Sequence, residues 1–270
     1  MTALSHPYAG PATQLPAAAD SSIDRSAIAP SEIAVGVIIG RASEYFDFFV
    51  YGIASVLVFP AVFFPFLPRL EGALAAFVVF AFAFIARPLG TVAFMAIQRR
   101  WGRGVKLGAA LFLLGVSTAG MAFLPGYATL GFAAIGLLSL LRFCQGIALG
   151  GSWDGLPSLL ALNAPANRRG WYAMIPQIGA PVGFIVAGGL FLYLHSSLAY
   201  ADFIDWGWRY PFYVAFAINV VALFARLRLV LTEEYERLME QRGLQPAKVG
   251  ELVRARGGNL LIGAFAALAS

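Results

Sequence analysis

Six long apolar runs, near residues 34–60, 71–97, 105–124, 129–162, 172–194 and 208–230, constrain this chain more than anything else in it. A helix needs about 20 largely apolar residues to cross a hydrocarbon core roughly 30 Å thick. Inside that core every backbone donor and acceptor must be satisfied within the protein, so a series of such runs reads as a series of membrane-spanning helices. A further run over 257–270 is too short to span. The expected architecture is an all-α membrane protein: a six-helix transmembrane bundle over 31–230, followed by a partial seventh helix.

Charge placement orients the bundle. The connections after the second, fourth and sixth runs hold Arg99, Arg100, Arg103 and Lys106, then Arg168 and Arg169, then Arg226, Arg228, Arg237, Arg242, Lys248, Arg254 and Arg256. The opposite connections hold only Arg69 and Arg209. Lys and Arg mark the cytoplasmic side, so the N-terminus and the 231–257 segment are expected to be cytoplasmic. The composition agrees: 60% hydrophobic and 12% charged residues, about half the charge of a soluble domain. The net charge of +5 does not indicate nucleic acid, because the basic residues sit at span ends, where they face anionic lipid. One cysteine, Cys144, excludes a disulfide framework or a cysteine metal site. His6 and His195 are too far apart in the topology to form a metal pair, and no cofactor is implied. Residues 1–30, rich in Ala, Pro and Ser, read as a disordered cytoplasmic tail.

Within the runs, Gly36 and Gly40, Gly146 and Gly150, Gly151 and Gly155, and Gly179 and Gly183 repeat at small-xxx-small spacing. That spacing lets helix backbones approach closely where lipid supplies no hydrophobic drive. Pro88, Pro157, Pro176 and Pro181 each remove a backbone donor and permit a bend. Bent, closely packed helices suit a bundle around a cavity better than the alternative, a merely compact bundle.

Charges inside the spans point to function. The first run carries Arg41, Glu44 and Asp47, the second Arg87, and the fourth Arg142 and Asp154. Each costs on the order of 2.5–3.5 kcal/mol near a bilayer centre unless paired or wetted, so ion path, proton relay and substrate site are the functional readings, with helix-to-helix ion pairing as the structural one. Arg41, Glu44 and Asp47 advance by three and so occupy adjoining parts of one helical surface, which must look into the bundle. A carboxylate there titrates near neutral pH if desolvation outweighs the neighbouring arginines, a balance left open at this level. Gln145, Gln177 and Asn219 add neutral polar groups to span interiors. An intramembrane hydrolase built on Ser152 and His195 is disfavoured. The two residues lie toward opposite membrane faces, roughly 20 Å apart in depth, and Gly150-Gly151-Ser152-Trp153-Asp154 does not complete G-x-S-x-G.

Several stretches resemble the metabolite–proton symporter branch of the major facilitator superfamily. Glu44-Tyr45-Phe46-Asp47-Phe48-Phe49-Val50-Tyr51-Gly52 is similar to its first-helix E-W-Y-D-F-x-x-Y-G. Ala86-Arg87-Pro88-Leu89-Gly90 matches A-R-P-[LI]-G, and Leu141-Arg142-Phe143-Cys144-Gln145-Gly146 matches L-R-x-x-Q-G. Arg168-Arg169-Gly170 with Pro176-Gln177-Ile178-Gly179 resembles the fifth-helix entry, and Trp206-Gly207-Trp208-Arg209-Tyr210-Pro211-Phe212 matches W-G-W-R-x-P-F. The resemblance runs from Glu32 to Arg256 in order and spacing.

The resemblance implies the N-terminal half of a twelve-helix transporter, each half built from inverted three-helix repeats. It implies proton-coupled symport of a small, carboxylated metabolite across the inner (plasma) membrane, with a C-terminal half as partner. By position, Arg87 and Arg142 become candidates for binding substrate carboxylate, Gln145 and Gln177 for neutral lining, and Glu44 and Asp47 for proton coupling. Arg99, Gly102 and Arg103 occupy the inter-half loop motif, where the usual G-x-x-x-D-R-x-G-R has become Met95-Ala96-Ile97-Gln98-Arg99-Arg100-Trp101-Gly102-Arg103 and the acid of its charge lock is replaced by Arg99. In the fourth helix G-G-E-W-G-G has become Gly150-Gly151-Ser152-Trp153-Asp154-Gly155, turning the acid about 200° around the helix. Arg41 stands where a neutral residue is usual. Arg41 and Asp154, opposite in sign and similar in depth, are expected to pair. The segment 231–256 reads as an amphipathic cytoplasmic linker helix. Altered motifs and the short seventh run favour a fragment or decayed paralogue, and the alternative function is a non-transporting membrane scaffold or sensor that keeps the fold.

Overall fold

In a computed structural model the described residues are 30–152, 160, 161, 164, 166–230, 232 and 258. The tail, the linker and the seventh run, apart from Pro30, Thr232 and Gly258, lie outside them, as does Asp154. The described residues form helices: α1 (Pro30–Leu57), α2 (Phe59–Val62), α3 (Arg69–Phe123), α4 (Tyr127–Leu130), α5 (Phe132–Gly151), α6 (Arg169–Met174), α7 (Gly179–Ser197), α8 (Tyr200–Asp205) and α9 (Tyr210–Val230). By length and apolarity Arg69–Phe123, Phe132–Gly151, Arg169–Ser197 and Gly207–Arg228 can each cross a bilayer. The 28-residue α1 carries Arg41, Glu44 and Asp47. Pro60, early in α2, stops α1 short, because it has no N–H to continue the ladder.

The 55 residues of α3 would reach about 80 Å if straight, far beyond one crossing. They form two limbs that turn at Gly102, whose φ of 87° and ψ of 172° lie in a region open essentially to glycine alone. α5 shows that the limbs fold back on each other. Gly146 of α5 presses on the Ala83 backbone in the first limb, while its neighbour Gln145 donates to Thr118 in the second. The two expected spans at 71–97 and 105–124 are these limbs.

Of the prolines inside the described spans, Pro176 marks a break, whereas Pro88 and Pro181 lie within continuous helices. The fifth span runs through α6, a 3-10 turn at Ile175–Ile178 containing Pro176, and α7. A 3-10 turn at Gly207–Arg209 leads into α9. Arg209 Nη1 donates to the Ala122 and Leu124 carbonyls at 2.7 and 2.9 Å, satisfying acceptors that the end of α3 leaves open.

Glycines set the closest packing. A Cβ on Gly90, Gly146 or Gly150 would strike the facing backbone of α5 or the first limb of α3, and one on Gly179 or Gly183 would strike α1. Thr91 Oγ1 adds a hydrogen bond to the Gly150 carbonyl at 3.2 Å. Gly40 meets the Arg226 guanidinium instead of another backbone, and Gly151 meets the Phe94 ring. Two apolar clusters result. One joins Val50, Tyr51, Phe59, Phe80, Met121, Leu138 and Trp208; the other joins Val37, Leu107, Leu111, Leu114, Ala148 and Ile175. Ser43 on α1, Ser117 and Thr118 on the second limb, and Arg142 and Gln145 on α5 are buried polar residues that fall between members of the two clusters, with Asp47 beside them. Large apolar side chains such as Phe112, Leu192 and Phe224 stand exposed, as a lipid-facing surface requires.

Candidate functional site

The polar layer between the clusters holds the charges. Asp47, 3% exposed, receives the Thr118 hydroxyl on Oδ1 at 3.0 Å and the Gln145 amide Nε2 on Oδ2 at 3.0 Å. Gln145 Nε2 also donates to Thr118 Oγ1 at 2.7 Å, and its Oε1 accepts from Arg142 Nη1. The Arg142 guanidinium, 1% exposed, lies 4.2 Å over the Tyr51 ring and 4.4 Å over the Phe80 ring. An uncompensated buried charge costs several kcal/mol; here an amide oxygen and two aromatic faces offset it, and a desolvated cation over a ring is worth about 2 kcal/mol. Arg142 and Asp47 thus share one network without a direct ion pair between them.

Glu44, one turn earlier, has a different environment. Its Oε2 accepts from Arg41 Nη1 at 2.8 Å and its Oε1 from Arg226 Nη2 at 3.0 Å, with the Ser152 hydroxyl at 3.4 Å. Arg226, read from sequence as part of the inner connection, is instead a buried residue of α9, its guanidinium lying against Gly40. A hydrogen bond of 2.7 Å from Ser43 to Asn219 Oδ1 joins the same two helices. Arg41 therefore has Glu44 as its described partner, and the expected pairing with Asp154 lies outside the described residues.

A cavity of about 300 Å³ opens beside both networks, lined by Arg41, Glu44, Asp47, Arg87 and Arg142 together with aromatic and aliphatic side chains. The fold therefore brings together five residues singled out from sequence. Arg87 is exposed and has no acid at ion-pair distance among the described residues. Gln145, expected as lining, is fully buried behind Asp47 and joins the network instead of the cavity wall. Gln177, also expected as lining, stands exposed on the 3-10 turn and outside the cavity lining. Arg99 and Gly102 are exposed at the turn between the limbs of α3, with Arg103 half-buried beside them. Ser152 and His195 do not meet: Ser152 bonds Glu44 and the Leu149 carbonyl, while His195 packs on the Phe203 ring at 5.1 Å. Sequence reading missed Tyr51, Phe80 and Thr118 as site residues. A threonine in the middle of an apolar run was the available signal for Thr118. Tyr51 and Phe80 looked like ordinary core residues until Arg142 lay over them.

Comparison with known proteins places these features in a wider group. Residues 33–248 match the family model described as sugar (and other) transporter. The chain is 38% identical over 240 residues to the inner membrane metabolite transport protein YhjE of Escherichia coli (strain K12), covering 89% of this chain and 54% of that one. It is 36% identical to the shikimate transporter of the same organism, over 76% of this chain and 47% of that one. It is 30% identical to the E. coli proline/betaine transporter, over 75% and 40% respectively. Among solved structures, a D-xylose-proton symporter superposes with a TM-score of 0.61 at 20% identity, over 87% of this chain and 56% of that one. A partially occluded inward-open xylose transporter XylE from E. coli gives 0.60 at 22% identity. The chain spans about half the length of the curated relatives it matches.

Proposed function

The chain belongs to the sugar (and other) transporter family, within the major facilitator superfamily, and from that membership we propose that it is the N-terminal half of a proton-coupled symporter for a small carboxylated metabolite. The relatives are transporters and not enzymes. The reading is carried by one observation: a single cavity lined by Arg87, Arg142 and Asp47, whose buried carboxylate accepts from the neutral donors Thr118 and Gln145. A fixed guanidinium fork suits a carboxylate ligand. Shikimate, proline and betaine, named for two of the relatives, all carry one. A carboxylate held by neutral donors can take a proton without abandoning a salt bridge. Glu44, clasped by two arginines, is the poorer proton carrier of the two. The site works by alternating access when a second six-helix half closes over it. The protein sits in the inner membrane with the N-terminus and the 231–257 segment cytoplasmic, in line with the basic inner connections.

Proteoliposomes containing the chain, alone or with a relative's C-terminal half, should accumulate labelled shikimate or proline when an inward proton gradient is imposed. Asp47→Asn should abolish gradient-driven accumulation and leave exchange of labelled for unlabelled substrate. Accumulation that survives Asp47→Asn would overturn the assignment of the proton to Asp47. No uptake or exchange in either preparation would favour the non-transporting scaffold.

A further inference from the structure

Gln145 stands between the two charges that the proposed transport cycle needs, and its amide has only one orientation that both neighbours accept. Arg142 can only donate, so it must meet Oε1; an ionised Asp47 can only accept, so it must meet Nε2. The amide is fully buried, and its two hydrogens are already committed to Asp47 and Thr118. With no direct Asp47–Arg142 ion pair described, this side chain is the bridge through which one can sense the other.

We propose that Gln145 is a positioning residue that couples the protonation of Asp47 to the release of Arg142 into the cavity; this rests on Asp47 being the proton carrier. A proton arriving through the cavity adds to Asp47 Oδ2, which then becomes a donor facing the Nε2 hydrogens. The amide turns over to present Oε1 to Asp47. Nε2 now opposes Arg142 Nη1, donor against donor, and the guanidinium leaves Gln145 for the anionic ligand in the cavity it already lines. Loss of the proton reverses each exchange. Substrate carboxylate and proton are thereby bound together. The other charged or titratable groups near Asp47 have other engagements: Glu44 with Arg41 and Arg226, and Tyr51 beneath Arg142. Arg87 lines the cavity from the first limb of α3; the second limb supplies the neutral Thr118, and its buried Lys106 donates to Gln98.

The experiment reads the position of Arg142 without requiring transport. The full chain in lipid nanodiscs is treated with phenylglyoxal, an arginine reagent, and modification is mapped by peptide mass spectrometry. Arg87, exposed in the cavity, reports reagent entry in every sample. Arg142 should be protected in the wild type and modified about tenfold faster in Gln145→Leu and in Asp47→Asn, as expected for loss of one charge-assisted hydrogen bond. Gln145→Glu keeps an acceptor for Arg142 and has no amide to turn, so Asp47→Asn combined with Gln145→Glu should restore protection. Arg142 remaining protected in Gln145→Leu would show that the aromatic faces alone hold it. Asp47→Asn leaving Arg142 protected, or the double variant leaving it reactive, would overturn the coupling. If Gln145→Leu fails to fold, the Asp47→Asn pair of samples still decides. Loss of uptake with this labelling pattern intact would count against the transport reading and not against the coupling.

Discussion

The two acids of α1 sit one turn apart in opposite electrostatic settings, and that difference predicts how each responds to substitution. Glu44 is bonded to Arg41 at 2.8 Å and to Arg226 at 3.0 Å, with both Glu44 and Arg226 largely withdrawn from solvent. Breaking a buried pair by removing one partner typically costs about 3–5 kcal/mol, because a lone charge remains. Glu44→Gln leaves two facing arginines without their acid, whereas Arg226→Leu leaves Glu44 with Arg41. Glu44→Gln should therefore destabilise more, near the top of that range, and Arg226→Leu less. The double variant should recover part of the loss, as shown by thermal unfolding of the detergent-solubilised protein. Strictly additive effects would show that Glu44 and Arg226 do not interact. The acids and arginines themselves were legible in the sequence, because a charge inside an apolar run is conspicuous. Their partners were not. Arg226 lies in the last part of a span, where a basic residue normally marks the cytoplasmic interface, and only the space left by Gly40 shows that it turns inward.

At the scale of the elements, glycine decides which helices touch. The first limb of α3 and α5 meet backbone to backbone at Gly90, Gly146 and Gly150, so a side chain at any of them must push the helices apart. Gly146→Val should cost at least about 3 kcal/mol, in the manner of a badly overpacked core. Gly136→Val, on the same helix but with open space around its missing Cβ, should be tolerated. Equal loss of folded protein in both would show that helix propensity, and not contact, is responsible. Gly102 carries a different constraint. Alanine there must adopt φ near 87°, which costs on the order of 1–3 kcal/mol, while nothing crowds its Cβ. Gly102→Ala should lower the unfolding temperature, whereas Gly108→Ala, six residues on with equal space, should leave it unchanged or raise it. The small-xxx-small spacing announced the contact glycines. It did not reveal that Gly40 faces an arginine, since spacing specifies a face and not its occupant.

For the whole molecule, the alternation of basic and nearly uncharged connections predicts sidedness. In a Cys144→Ala background, cysteines placed at Ala128 and Ala199, both exposed, should react with an impermeant maleimide added to intact cells. A cysteine at Arg100, exposed at the turn between the limbs of α3, should react only after the membrane is opened. Labelling of the Arg100 position in intact cells would reverse the topology.

Six apolar runs, the in-span charges and the ordered motifs were enough to establish an all-helical, membrane-spanning member of a transporter superfamily. These properties depend on residue type and spacing along one chain, and hydrocarbon admits few alternatives. Which charges meet was decided only in three dimensions. Asp47, Thr118 and Gln145 are far apart in sequence and come together because α1, the second limb of α3 and α5 converge on one layer. From sequence Arg142 was a candidate for substrate carboxylate, with helix-to-helix ion pairing as the general structural alternative. The intervening amide and the rings of Tyr51 and Phe80 settled its position, and a hydrogen-bond network depends on distance and direction that no one-dimensional pattern encodes.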